Sequence, residues 1–242
     1  MLMILGDEEI EHALPRNEVA DLIRRHGEFQ RDLAARGAYL ESYRLRPSRE
    51  AVTLRPEGGD GRAAVALDGP FAETKEVLGG YYLIEAPSRD EAIAWAKRLP
   101  VHESGAVEVR PARTGALWRG PIRQADRWVI QLVVDREHQA ARTREDVFRD
   151  IDNHYELSLP LAADGKFVSS RSLEPPTAAA TIRSRGAVTF LSDGPFTETK
   201  EFVAGYFVLA CDTKPEALAW AQKLRGGADA VEIRRVWPRS EY

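Results

Sequence analysis

Cysteine is almost absent from this 242-residue chain: Cys211 stands alone, so no intrachain disulfide, CxxC redox pair or cysteine-rich zinc site can form. A chain so poor in cysteine suits a reducing compartment, and the cytoplasm is the expected location. Long apolar runs are missing as well. None approaches the roughly 20 residues needed to span a bilayer, and no basic region precedes the short apolar stretch at residues 2–5. Neither a membrane association nor a secretory leader is expected. An excess of one charge is also lacking: 34 basic residues face 38 acidic ones, and the halves balance alike, 17 and 20 in residues 1–120, 17 and 18 in 121–242. With no basic domain set apart, direct nucleic-acid binding is not expected. The chain contains no Gly-x-Gly-x-x-Gly after a strand, no phosphate loop, no Gly-x-Ser-x-Gly and no HExxH. Nucleotide-driven chemistry, serine hydrolysis and zinc proteolysis are therefore unsupported, and neither a cofactor nor a metal is expected.

What is present is a duplication. Asp68-Gly-Pro-Phe-Ala-Glu-Thr-Lys-Glu76 recurs as Asp193-Gly-Pro-Phe-Thr-Glu-Thr-Lys-Glu201, eight identities in nine at a spacing of 125. The match continues through Gly80-Tyr81 and Gly205-Tyr206, then Glu91-Ala-Ile-Ala-Trp-Ala96 and Glu216-Ala-Leu-Ala-Trp-Ala221. It ends at Val107-Glu-Val-Arg110 and Val231-Glu-Ile-Arg234. Upstream the offset is 128, pairing His26 with His154, Gly37 with Gly165, Thr53 with Thr181 and Arg55 with Arg183. A longer turn at residues 56–62 accounts for the difference. Two domains of one fold are expected, 1–112 and 126–242, with residues 113–125 as a linker long enough to let them pack together.

Each copy reads as an α+β unit. Residues 2–5 or 128–134 form an opening strand. Val19, Leu22, Ile23, His26, Phe29 and Leu33 then share a helix face, as do Val147, Ile151, His154, Leu157 and Leu161. Gly37 and Gly165 stop these helices, and Pro160 predicts an early bend or break in the second. Extended segments follow, with short strands around Thr53 and Thr181 and around Val65 and Val188. Buried strands come next, at residues 80–86 and 205–210. Ser88-x-x-Glu91 and Thr213-x-x-Glu216 resemble capping boxes opening a second helix, which buries Trp95 or Trp220. The order βαβ(ββ)αβ is that of a split-βαβ, ferredoxin-like domain with both helices on one sheet face. Two such domains cover their bare faces by packing sheet against sheet.

Several recurring side chains carry chemistry. His26 and His154 lie on apolar stripes, where an imidazole needs a polar neighbour; the alternatives are a proton-transfer group set by a carboxylate and a structural histidine bonded to a carbonyl. Asp68 and Asp193 belong to turns, and either carboxylate is a candidate histidine partner. Glu73, Thr74, Lys75 and Glu76 are a solvated edge or a pocket wall. The chain has only six lysines, and two of them, Lys75 and Lys200, recur here as candidate anion ligands. Arg55 and Arg183 can grip a carboxylate or pair with a nearby glutamate. Tyr81 and Tyr206 offer phenolic hydroxyls to a pocket or pack in the core. His12, His102 and His138 have no counterparts and read as surface residues.

The repeated Asp-Gly-Pro-Phe-x-Glu-Thr-Lys-Glu, followed by Gly-Tyr, resembles the DGPF-domain branch of the YCII-related superfamily, one domain per half. The resemblance implies ferredoxin-like domains paired as a dimeric α+β barrel with a pocket near their interface. It also implies a small-molecule ligand, since some relatives act on small organic acids with a His-Asp pair. Others are encoded beside alternative sigma factors, which implies a regulatory or interaction module, with further self-association open. His26 and His154 look like the histidine of that pair, while Arg46-Pro-Ser-Arg49 and Glu174-Pro-Pro-Thr177 stand where its aspartate would follow.

Overall fold

The computed structural model describes residues 1–57, 63–72, 74–185 and 188–238; Glu73 and most of the turn at residues 56–62 lie outside the described residues. The first half runs β1 (Leu2–Asp7), α1 (Glu8–His12), α2 (Arg16–Ala35), β2 (Tyr39–Arg44), β3 (Val52–Glu57), β4 (Ala63–Asp68), β5 (Glu76–Ile84), α3 (Arg89–Ala96) and β6 (Ala106–Val109). A connecting strand, β7 (Ala112–Leu117), falls largely within the stretch between the repeats. The second half repeats the order: β8 (Asp126–Asp135), α4 (Arg136–Ala141), α5 (Arg144–Ala163), β9 (Phe167–Leu173), β10 (Ala180–Arg185), β11 (Val188–Asp193), β12 (Glu201–Cys211), α6 (Lys214–Leu224) and β13 (Ala230–Arg235).

Local chemistry sets the helix ends. Gly37 at φ +68° and Gly165 at φ +66° take the left-handed conformation that lets Ala38 N–H reach back to Leu33 and Lys166 N–H to Leu161. Thr143 and Asp146 close a reciprocal capping box at the start of α5, while Ser88 and Thr213 accept the N–H of Glu91 and Glu216 to start α3 and α6. Pro160 does not end α5, which continues to Ala163. The proline stands in the last turn at an exposed position, so the carbonyl deprived of its partner there can be hydrated. Ile151, expected on the buried face, is exposed; so are Phe148, Tyr155 and Leu159, which continue its stripe on the outer side of α5.

The strands form two antiparallel sheets, ordered β11-β10-β6-β1-β5-β2 and β4-β3-β13-β8-β12-β9-β7. Each sheet therefore takes a hairpin from the other half. β3 pairs with β13, setting Thr53 opposite Glu232, and β10 pairs with β6, setting Thr181 opposite Glu108. The exchange extends to the cores. Val52 and Leu54 pack with Leu161, Ala217, Ala221 and Leu224 under α5 and α6. Ala180 and Ile182 pack with Phe29, Leu33, Ile93 and Trp95 under α2 and α3.

Strand alternation divides each sheet between helices and partner sheet. Tyr82 and Ile84 face the helices, while Tyr81 and Leu83 join Met3, Val129, Val168, Val203, Tyr206 and Val208 in a core shared by both sheets. The fold is thus α+β, two tandem ferredoxin-like units paired face to face within one chain.

Candidate functional site

The exchanged hairpins place the repeated turns between the sheets. Gly69 at φ +100° and Gly194 at φ +92° hold a conformation that side chains rarely adopt. Thr53 Oγ1 and Thr181 Oγ1 each donate to the turn glycine's carbonyl at 2.9 Å. The chain is then aimed so that Phe71 N–H donates to Glu232 Oε2, and Phe196 N–H to Glu108 Oε2, both at 3.0 Å. The Asp-Gly-Pro-Phe turn of each half thus closes on the Val-Glu-x-Arg strand of the other. Between the two junctions lies a cavity of about 110 Å³, walled by Met3, Leu5, Leu78, Val203, Pro70, Pro195, Phe71, Phe196 and Phe202, with Thr74, Thr199, Gln131 and the two Glu-Arg pairs as its polar groups.

Its two ends differ. At one, Arg110 donates through Nε at 2.8 Å and through Nη2 to Glu108 Oε1, and its Nη1 reaches the Val203 carbonyl at 2.6 Å. At the other, Arg234 bonds the carbonyls of Arg46 and Leu78 and the carboxylate of Glu8, leaving its Nη1 3.8 Å from Glu232. Glu232 Oε1 instead accepts from Gln131 Nε2 at 2.9 Å. Burial pushes the Glu232 carboxyl above the usual range, partly offset by Arg234 and the Phe71 N–H.

A charged, open mouth adjoins the cavity beside β12, sharing Glu201 with it. Arg55 grips Glu201 through two bonds of 2.7 and 2.8 Å and also donates to the Phe71 carbonyl. Lys200 reaches Asp135 at 3.4 Å and is otherwise open to solvent. His138 Nδ1 lies 2.8 and 2.9 Å from the two oxygens of Asp229, whose carboxylate also accepts the Asp135 N–H. This histidine is exposed, as expected of a surface residue, and the pairing with Asp229 is what the sequence did not show. With no counterpart in the first half, it carried no repeat signal that could have singled it out.

The expected histidine–aspartate pairs do not form. His26 sits on α2 over the six-stranded sheet, its Nδ1 3.0 Å from the Tyr82 hydroxyl; Asp68 ends β4, an exposed edge of the other sheet. His154 Nε2 donates to the Leu224 carbonyl at 2.9 Å, and Asp193 binds Arg89 near solvent. The hairpin exchange is the reason: it carries each turn to the sheet opposite the helix of its own half, and the strand received in return, β11 or β4, stands at the sheet edge several strands from Tyr82 or Phe207, on which the histidines pack. Burial, then the charges of Arg44 and Arg25, hold His26 down at about 4, and burial lowers His154 too, so both imidazoles are neutral structural groups. Neither lines the cavity.

Of the other recurring candidates, Arg183 stacks on Phe196 and donates to its carbonyl, and Lys75 is exposed without a bonded carboxylate among the described residues. Tyr81 and Tyr206 are fully buried and donate to Glu41 Oε1 at 3.3 and 2.7 Å in the intersheet core, not in the cavity. Burial raises both phenols well above their ordinary range and raises the Glu41 carboxyl as well. Glu108, Arg110, Gln131, Glu232 and Arg234, all buried and all lining the cavity, were missed as site residues, as was Glu41 as the partner of the two tyrosines. The recurrence of Val-Glu-x-Arg was the available signal for four of them. Among the described residues no helix is long and apolar enough to cross a membrane, and no cluster of His, Cys, Asp and Glu side chains could hold a metal.

A duplicated ferredoxin-like protein with a cavity between its two sheets is the class this architecture defines. The model of the YCII-related domain matches the chain twice, over residues 1–114 and 129–240, and the chain belongs to that family. It is similar to an uncharacterized protein of Rhizobium meliloti (strain 1021), 37% identical over 112 residues, covering 46% of this chain and 88% of that protein.

Proposed function

We propose that this chain binds a small molecule in the cavity between its sheets. The observation that carries this reading is the convergence of both copies of both motifs, Asp-Gly-Pro-Phe and Val-Glu-x-Arg, on one apolar space. A small organic acid, the occupant expected from the sequence, fits if its carboxylate stays at the mouth beside Lys200. Inside, the hydrogen-bonding groups of both arginines are committed to carboxylates and carbonyls. An enzymatic version of the reading would draw its acid–base group from His138, oriented by Asp229, rather than from His26 or His154.

The test is a titration of small acids, alcohols and ketones followed by amide NMR. Binding shifts the signals of Phe71, Phe196, Gln131 and Thr199 together and raises Tm; a panel that leaves all four unmoved rejects the reading. A second reading, an interaction module associated with transcription, draws on the exposed Phe148, Ile151, Tyr155 and Leu159 of α5, an apolar stripe on the solvent side of the molecule.

A further inference from the structure

Gln131 on β8 and Met3 on β1 are equivalent positions of the two halves, each opposite the glutamate of a Val-Glu-x-Arg strand, and both line the cavity. Duplication has left them chemically unlike. Beside Met3, Glu108 is closed off by Arg110 and the Phe196 N–H. Beside Gln131, the arginine is drawn away to backbone carbonyls, and the amide nitrogen of Gln131 takes its place on Glu232. Because Nε2 faces the carboxylate, Oε1 faces away from it. Among the described residues no donor reaches that oxygen, although Gln131 is only 2% exposed. That oxygen is not among the side-chain atoms buried without a partner, so it meets the cavity, where a ligand's donor can take the place of water.

We propose that Gln131 is the residue that orients the ligand, and that the cavity takes a small uncharged molecule with an apolar body and a hydroxyl or N–H head. The head donates to Gln131 Oε1, and the body lies toward Met3, Phe71 and Phe196. This assignment rests on the cavity being the binding site. The volume bounds the body: apolar cavities of about 150 Å³ accept benzene, so about 110 Å³ admits a small ring or a short branched chain. A carboxylate head at this end would lie against Glu232, beside an Arg234 whose Nε, Nη1 and Nη2 already donate to the carbonyls of Arg46 and Leu78 and to Glu8.

Three soluble probes of one size separate the possibilities: cyclopentanol, whose head donates; cyclopentanone, whose head only accepts; and cyclopentanecarboxylate. For the full-length wild type, NMR titration is expected to give cyclopentanol an affinity about five- to tenfold above cyclopentanone, as one net hydrogen bond provides, with no carboxylate binding inside the cavity. Gln131→Met, which copies the residue of the other half, is expected to abolish the difference while both neutral probes still bind. Equal affinities in the wild type, or a preference that survives Gln131→Met, overturn the role of Gln131 and leave the cavity reading intact. No shift of cavity signals with any probe overturns both. If the variant fails to fold, nuclear Overhauser contacts in the wild type decide: ring protons of bound cyclopentanol beside the Gln131 side-chain amide support the assignment, and their absence overturns it.

Discussion

His26 shows how a side chain that looks catalytic serves the fold. On the half-buried face of α2 it stacks on Tyr82 and bonds its hydroxyl, and its imidazole is held neutral down to about pH 4. In the unfolded chain the same group takes up a proton near pH 6.5. The unfolded state therefore binds more protons between those values. The stability that His26 contributes is present above pH 6.5 and is lost as the pH falls through the window toward 4. Urea denaturation at pH 7 and pH 4.5 should show His26→Gln to be the less acid-sensitive protein, with the difference in pH dependence worth about 2–3 kcal/mol. An identical pH dependence in variant and wild type would remove His26 from this account. Glu41 works in the opposite sense, since burial raises its carboxyl and the native state holds its proton more tightly than the unfolded one.

At the scale of the element, the repeated turns were legible and their destination was not. Asp-Gly-Pro spells a turn that needs glycine, and Gly69 and Gly194 do take positive φ. A Cβ at either position would meet nothing within 4 Å, so substitution costs only the backbone conformation. Gly194→Ala is expected to destabilise the protein by about 1–2 kcal/mol and to speed hydrogen exchange at the Phe196 amide, which the turn aims at Glu108. A variant of wild-type stability with Phe196 still protected would mean that the turn tolerates the change. Pro160 teaches the converse. Sequence chemistry marked it as a helix breaker, but in an exposed last turn the lost hydrogen bond is too small a term to stop α5 short of Ala163.

For the whole molecule, the exchange of hairpins ties the halves more closely than sheet packing alone. Each half lacks two strands of its own sheet and part of its own core, Val52 and Leu54 on one side and Ala180 and Ile182 on the other. Residues 1–118 expressed alone are expected to complete that sheet with the hairpin of a second copy and to sediment as a dimer. A well-folded monomer at micromolar concentration would show that β3 and β4 can return to β6 of their own half. The sequence by itself determined the duplication, the order of helices and strands, the helix stops at Gly37 and Gly165 and the pairing of two α+β units, because these follow from spacing, periodicity and backbone chemistry within a few residues. Only the tertiary structure decided which sheet receives each hairpin. That placement separates His26 from Asp68, joins Phe71 to Glu232, and leaves Gln131 where Met3 would be by symmetry. Strand partners are chosen by burial between segments far apart in the chain, Thr181 with Glu108 and Thr53 with Glu232, and no local pattern records that choice.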